Sequence, residues 1–336
     1  MEPAQILDAR FDGVKLKVLP SMYLGIEIGG TKLQFGVGPG DGQTFVDFVR
    51  CDIDRQRGAV GIQSQILDVG RRLVRDHAIE RIGYGFGGPV FGAQGIVQTS
   101  HQVHGWDRFP LVAWTESELR VPARLGNDCD VAALAEACYG AGREVRSTFY
   151  VTVGTGIGGG FVVDRRIHGT DRPAAAEIGH LRPGLAARDR HDTVESIAAG
   201  PGISERLQRR LAQSNSSDPA VADLLQRAGG AAADLTTRHI GEAAIAGNPF
   251  ALEVYREATD VLGWAIAQAI TLVAPQVVVV GGGVSLVGDA VFFRPLRESV
   301  ARYVFPPLAE SYSVVPAALG ESVVVHGALA LAATSA

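Results

Sequence analysis

Three apolar strands in this chain each run straight into a glycine-rich turn, at 29–31, 154–160 and 281–283. No other feature limits the accessible folds as tightly. Leu24, Ile26 and Ile28 alternate with Gly25 and Glu27, the period of a half-buried strand, and beyond the turn the chain resumes as Lys32-Leu-Gln-Phe-Gly-Val37. Much later, Phe149-Tyr-Val-Thr-Val153 passes through Gly154-Thr-Gly-Ile-Gly-Gly-Gly160 into Phe161-Val-Val163. Two strand–turn–strand units, one in each half, predict two related domains that face each other across a cleft. Glycine supplies 42 of the 336 residues, nearly twice the ordinary share of about 7%. There is no collagen period, so the excess belongs in special turns. Such turns tolerate positive φ, admit an anion close to the backbone, and present successive N–H groups to it.

Between and after these units, helix and strand alternate. The spacing predicts a helix over 60–77 and a strand over 81–86 that ends in Gly87-Gly88-Pro89. Helices follow over 130–139, with Gly140 and Gly142 as stop signals, and over 253–273, stopped by Pro275. A fully apolar strand over 277–280 leads into the third turn, and an Ala-rich helix over 326–333 suits close packing. This is α/β architecture.

Composition removes several classes of function. The net charge of −5, from 31 Lys plus Arg against 36 Asp plus Glu, argues against binding driven by nucleic-acid phosphates. Cys51, Cys129 and Cys138 form neither a disulfide framework nor a CxxC pair. The longest apolar stretch, 261–280, is interrupted by Gln268, Pro275 and Gln276, so no membrane span is expected. The opening MEPAQILDAR lacks the pattern of a secretory signal, which leaves the cytoplasm as the expected location. Residues 1–21 read as an N-terminal extension; they hold two of only three lysines, Lys15 and Lys17, and the third is Lys32.

The run from Gly154 to Gly159 formally matches GxGxxG. That motif serves a dinucleotide only when a helix follows the glycines. Here Phe161-Val-Val163 follows, which is strand, and no P-loop run exists. What remains is a hairpin turn suited to phosphate oxygens.

The ordered set Ile26-Glu-Ile-Gly-Gly-Thr-Lys32, Gly126-Asn-Asp128, Val151-Thr-Val-Gly-Thr-Gly-Ile-Gly-Gly-Gly160, Glu177-Ile-Gly-His180 and Val280-Gly-Gly-Gly-Val-Ser285 resembles the ROK family of sugar kinases and repressors, within the hexokinase–actin superfamily. The resemblance spans about 22–333. It implies two ribonuclease H-like, actin-like ATPase domains flanking a catalytic cleft: 22–125, then 126–320, with 321–336 as a helix closing back on the first. It implies ATP-dependent phosphorylation of a hexose at its 6-hydroxyl, glucose foremost, with Mg²⁺ as cofactor. Fructose, mannose, allose or an N-acetylhexosamine, polyphosphate as donor, and a sugar-responsive regulator without catalysis are the alternatives. The 26 residues ahead of Glu27 are not expected to hold the DNA-reading module that a repressor needs. The family is commonly dimeric or tetrameric, so a homodimer or homotetramer is expected.

Carried over residue by residue, the resemblance makes Asp128 the general base. A hydroxyl attacking a phosphoryl group needs a carboxylate to take its proton. Asn127, Glu177, His180 and Glu195, with Gly88 and Asp128, would hold the sugar. Gly29, Gly30, Thr31, Lys32, Gly154, Thr155, Gly156, Gly158 and Gly159 would hold phosphates, and Gly282 and Gly283 would lie near adenosine. Glu27 would act on Mg²⁺ through water. From the residues alone, Asn127 or Asp128 reads first as a helix cap, and a helix starting near Asp130 would favour an ionised Asp128.

Two departures stand out. Glu27 replaces the family's usual Asp. The cysteine cluster that binds structural zinc after the His of Glu177–His180 is missing, so the protein is expected to work without zinc. Asp189, His191 and Asp192 read as a polar loop, held by packing of Leu181, Leu185 and Ile197. A third change, His101, Gln102 and His104 in place of Pro and Asn, bears on sugar preference.

Overall fold

A computed structural model describes residues 10–11, 14–15, 21–100, 102–172, 174–215 and 218–334. The anomalous start, 1–21, and His101 therefore lie largely or wholly outside the described residues, apart from an antiparallel pairing of Arg10–Phe11 with Val14–Lys15.

The first sheet is built from β1 (Met22–Ile28), β2 (Lys32–Gly38), β3 (Asp47–Asp52), β4 (Ile79–Phe86) and β5 (Ala123–Asn127), with α1 (Gly58–His77) and α2 (Leu111–Leu119) in the connections. Its order is β3-β2-β1-β4-β5. The second follows α3 (Asp128–Cys138) and consists of β6 (Ser147–Val153), β7 (Ile157–Val163), β8 (Arg166–Ile167), β9 (Val277–Gly281) and β10 (Ser313–Pro316). Its order is β8-β7-β6-β9-β10. Each sheet thus begins with antiparallel neighbours and ends with two parallel pairings, in the same spatial sequence. The mixed α/β class follows from the sequence, and the related hairpins sit at equivalent places, as β1–β2 and β6–β7.

Helices α4 (Val194–Ala198), α5 (Gly200–Gln213), α6 (Pro219–Arg227), α7 (Thr237–Ile245), α8 (Pro249–Val273) and α9 (Arg294–Tyr303) are all carried by the second half of the chain. Helix α8 starts four residues before its sequence limit because Asn248 caps it: its Oδ1 accepts from Phe250 N at 3.2 Å and Ala251 N at 3.3 Å. Pro249 then occupies the first turn, where its missing N–H costs nothing.

The last helix, α10 (Val323–Ala333), is apolar on all sides and accordingly buried on all sides. With α3 it fills the space between the two sheets, among Ala132, Ala133, Tyr150, Val162, Val279 and Ala330. Small residues allow this approach. A Cβ on Gly83 would overlap the Ala328 carbonyl, and one on Gly327 would overlap the Val131 carbonyl. Glu136 of α3 is fully buried and fully engaged: its carboxylate accepts from Ala141 N at 2.8 Å, Ala318 N at 2.9 Å and Leu319 N at 3.0 Å. A buried carboxyl group persists only with such partners. Here it fixes α3 to the segment that leads into α10.

Candidate active site

The first glycine turn joins β1 to β2. Gly29 N donates to Lys32 O at 3.0 Å, Ile53 N to Thr31 O at 3.0 Å, and Arg55 Nε to Gly30 O at 2.7 Å. The Gln102 side chain lies against Gly30, so that a Cβ there would run into its Oε1. His104 covers Gly58 at the start of α1, and its carbonyl accepts from Ala59 N at 2.9 Å. Thus two of the three unusual residues of 101–104 pack on elements of the first sheet.

Glu27 and Lys32, expected to act separately on metal and phosphate, are partners. Lys32 Nζ lies 3.3 Å from Glu27 Oε1 and donates to Gln34 Oε1 at 3.0 Å. Glu27 is 7% exposed, and its Oε2 is buried without a hydrogen-bond partner. Burial pushes its carboxyl up to about 7, against the opposing pull of Lys32.

The Asn127–Asp128 pair sits where β5 passes into α3. Asn127 is the cap: Oδ1 accepts from Cys129 N at 2.8 Å and Asp130 N at 3.3 Å, while Nδ2 donates to Gly88 O at 3.0 Å. Capping is therefore met without Asp128, which is the first helical residue rather than one lying ahead of the helix. Its Oδ1 accepts from Cys129 N at 2.8 Å. Its Oδ2 faces the first sheet; a Cβ on Gly87 would sit 3.4 Å from it and 3.7 Å from Gly29 Cα. The expectation of a readily ionised Asp128 is corrected. Burial raises its pKa, and the N–H groups of the helix start offset this only in part. Asp130, two residues on, is a third acid that the sequence reading passed over. Its Oδ1 is buried without a partner, and burial, then Asp128 and Glu177, hold its carboxyl at about 7. The signal was present as the acidic alternation in Asp128-Cys-Asp130.

The second glycine turn is shorter than its sequence suggests. Only 154–156 form it, with Gly154 N donating to Gly156 O at 2.9 Å. Gly158 and Gly159 are residues of β7, where absent side chains make room for Cys129 Sγ and the Ala176 carbonyl. Glu195 Oε2 accepts from Ile157 N at 2.7 Å and lies 2.7 Å from where a Gly156 Cβ would be. Glu195 thereby braces the turn with one carboxylate oxygen. Glu177 precedes the short Ile178–His180 turn, and His180 is exposed.

Three cavities meet these residues. One of about 240 Å³ is lined by Glu27, Lys32, Asp128, Tyr150, Gly282 and Glu321. One of about 930 Å³ is lined by Gly154, Thr155, Thr237, Tyr255, Gly283 and Leu286, among others. A third of about 390 Å³ gathers Asn127, Asp130 and Glu177 beside Pro89 and Thr170. The first cavity suits Mg²⁺: its donors are carboxylate oxygens, one of them the orphaned Glu27 Oε2, and this ion takes one or two carboxylates beside substrate phosphates.

The loop after His180 differs from its expected packing. Leu185 is 98% exposed and Leu181 37%, so neither holds it. Val194 N instead donates to Leu181 O at 2.8 Å, Thr193 forms a capping box with Ser196, and Asp189 Oδ1 accepts from His191 N at 2.8 Å. Among the described residues no group of three or more His, Cys, Asp or Glu is placed to hold a metal, and no helix is long and apolar enough to cross a membrane.

The model of the ROK family matches residues 23–335. The glucokinase of Halalkalibacterium halodurans is 31% identical over 315 residues, covering 91% of this chain and 93% of its own. A ROK family glucokinase from Streptomyces griseus, solved in complex with glucose and AMPPNP, is 28% identical with a TM-score of 0.77, over 93% of this chain and 99% of its own. A ROK hexokinase from Thermus thermophilus is 27% identical with a TM-score of 0.75, over 93% and 97%.

Proposed function

The chain belongs to the ROK family, and from that premise we propose that it is a sugar kinase, transferring the γ-phosphoryl group of ATP to the 6-hydroxyl of a hexose, glucose first among them. One observation carries the reading most: the half-buried Asp128 carboxylate, relieved of capping by Asn127, turns Oδ2 toward Gly87 in a cavity shared with Glu27. A carboxylate so placed accepts the 6-hydroxyl proton as that oxygen attacks the γ-phosphorus and the bond to the ADP oxygen breaks. Its raised pKa brings it closer to the working pH of a base.

Asn127, Glu177, His180 and Glu195 orient the sugar in this reading, with Gly88 fixed by Asn127. The backbone N–H groups of 29–31 and 154–156 take the phosphates, and Gly282 and Gly283 border the adenosine. Mg²⁺, when bound, neutralises charge on the transferring phosphoryl group. Glu27 would hold it through Oε2, directly or through water. Two lobes, 22–125 and 126–320, close on the substrates, with the closing helix Val323–Ala333 packed back on the first. The repeated sheet order supports this division.

The test is a screen of a dozen hexoses for sugar-phosphate formation, with Mg·ATP and with polyphosphate as donor. The expected result is a kcat/KM for glucose at least about tenfold above the others, with glucose 6-phosphate as product. No turnover of any hexose with either donor would overturn the kinase reading.

A further inference from the structure

Among the described residues, Glu321 alone lines both the cavity holding Asp128 and Glu27 and the larger cavity beside Gly154, Gly283 and Tyr255. It lies in the short Gly320–Ser322 turn ahead of α10 and is exposed. Its carboxylate has no ion pair or side-chain hydrogen bond among the described residues. A nucleotide with its adenosine in the larger cavity and its γ-phosphoryl at Asp128 must therefore pass Glu321. Asp128 and Glu321 face that passage, and the one cation of the smaller cavity's described lining, Lys32, is compensated by Glu27. Arg238, on the wall of the larger cavity, is likewise paired, donating to Glu242 Oε1 at 3.0 Å.

We propose that Glu321 makes the site selective for metal-loaded over metal-free nucleoside triphosphate. It does so by placing an uncompensated carboxylate where the polyphosphate chain joins the two cavities. An ATP without metal brings several negative charges against this carboxylate. A bound divalent cation cancels most of them and turns the same contact neutral or attractive. The inference rests on the ATP-kinase reading above and adds a selectivity to it.

Calorimetry tests it without turnover. ATP is titrated into wild type, Glu321→Gln and Glu321→Asp, once with excess Mg²⁺ and once with excess chelator; adenosine serves as a phosphate-free probe. Wild type should bind metal-free ATP far more weakly than Mg·ATP. Glu321→Gln should narrow that ratio by about fivefold or more, the effect of one unit charge a few ångströms away in a wet cleft. Glu321→Asp should retain the ratio, and adenosine should bind all three forms within about twofold. A Glu321→Gln protein with the wild-type ratio overturns the proposal, as does a Glu321→Asp protein that behaves like Glu321→Gln. If wild type fails to bind Mg·ATP while binding adenosine, the donor assignment has failed, and the selectivity argument falls with it.

Discussion

Replacing Asp128 with Asn separates stability from catalysis in a way that burial and hydrogen bonding make calculable. The Asn side chain keeps the size of Asp, and its Oδ1 keeps the acceptor for Cys129 N at 2.8 Å. The cap is unaffected, since Asn127 provides it. What disappears is a charge that burial disfavours. Because the folded pKa is raised, this carboxyl favours the fold fully below its unfolded pKa, and the contribution is lost as pH rises through the folded value. At neutral pH the variant should therefore melt at or above the wild-type temperature. Its kcat should fall by about 10²–10⁴, the usual cost of a missing general base, or about 3–5 kcal/mol of barrier. In wild type the acid limb of kcat against pH should lie above the ordinary carboxylate range, and the variant should lack it. The assay is turnover coupled to glucose-6-phosphate dehydrogenase, beside thermal melts and sugar binding by calorimetry. A folded variant turning over at more than about a tenth of the wild-type rate removes Asp128 from the reaction.

Three further outcomes are expected. With a carboxyl raised from 4.5 to about 7, Glu27 should weigh against the fold at high pH. Denaturant melts should show the stability of Glu27→Gln relative to wild type improving by about 3 kcal/mol between pH 4 and pH 8, and an unchanged difference would refute a buried, raised Glu27. Gly327→Ala forces a methyl group into the Val131 carbonyl, so thermal or denaturant unfolding should register a loss of about 3 kcal/mol; a loss under about 0.5 kcal/mol would mean that α3 and α10 are not in contact. Metal analysis should find no zinc held by the purified protein, because the loop after His180 is braced by Thr193 and Val194 instead; one tightly bound zinc per chain would contradict this.

Strand, turn and strand were legible because period-2 alternation and clustered glycine are local signals. That legibility reached the order of both hairpins and came within two residues of the start of α3. It failed where the answer is tertiary. The sequence offers two capping candidates, and only the backbone at Asn127, with ψ of 151°, decides between them. Nothing local tells that Lys32 turns to Glu27, or that Gln102 covers Gly30 from 72 residues away. Gly158 and Gly159 look like turn residues, yet they serve packing, since a glycine needed for space and one needed for positive φ are the same letter. Leu185 misled for the opposite reason: an apolar side chain carries no mark of the side it faces, and this one faces water.

The placement of α10 sets an order on biosynthesis. The face of the first sheet that holds Gly25 and Gly83 is covered by residues that leave the ribosome roughly 245 to 300 positions later. At about 5–20 residues per second, that is an interval of about 12–60 seconds. Through it, β1 and β4 stand assembled or half-assembled with one apolar face bare. The same helix supports α3, so the start of α3, where Asp128 sits, lacks its backing until translation has passed Ala333. The first half of the chain is thus exposed to premature association with other nascent chains, and chaperones that shield apolar sheet faces would find their client there.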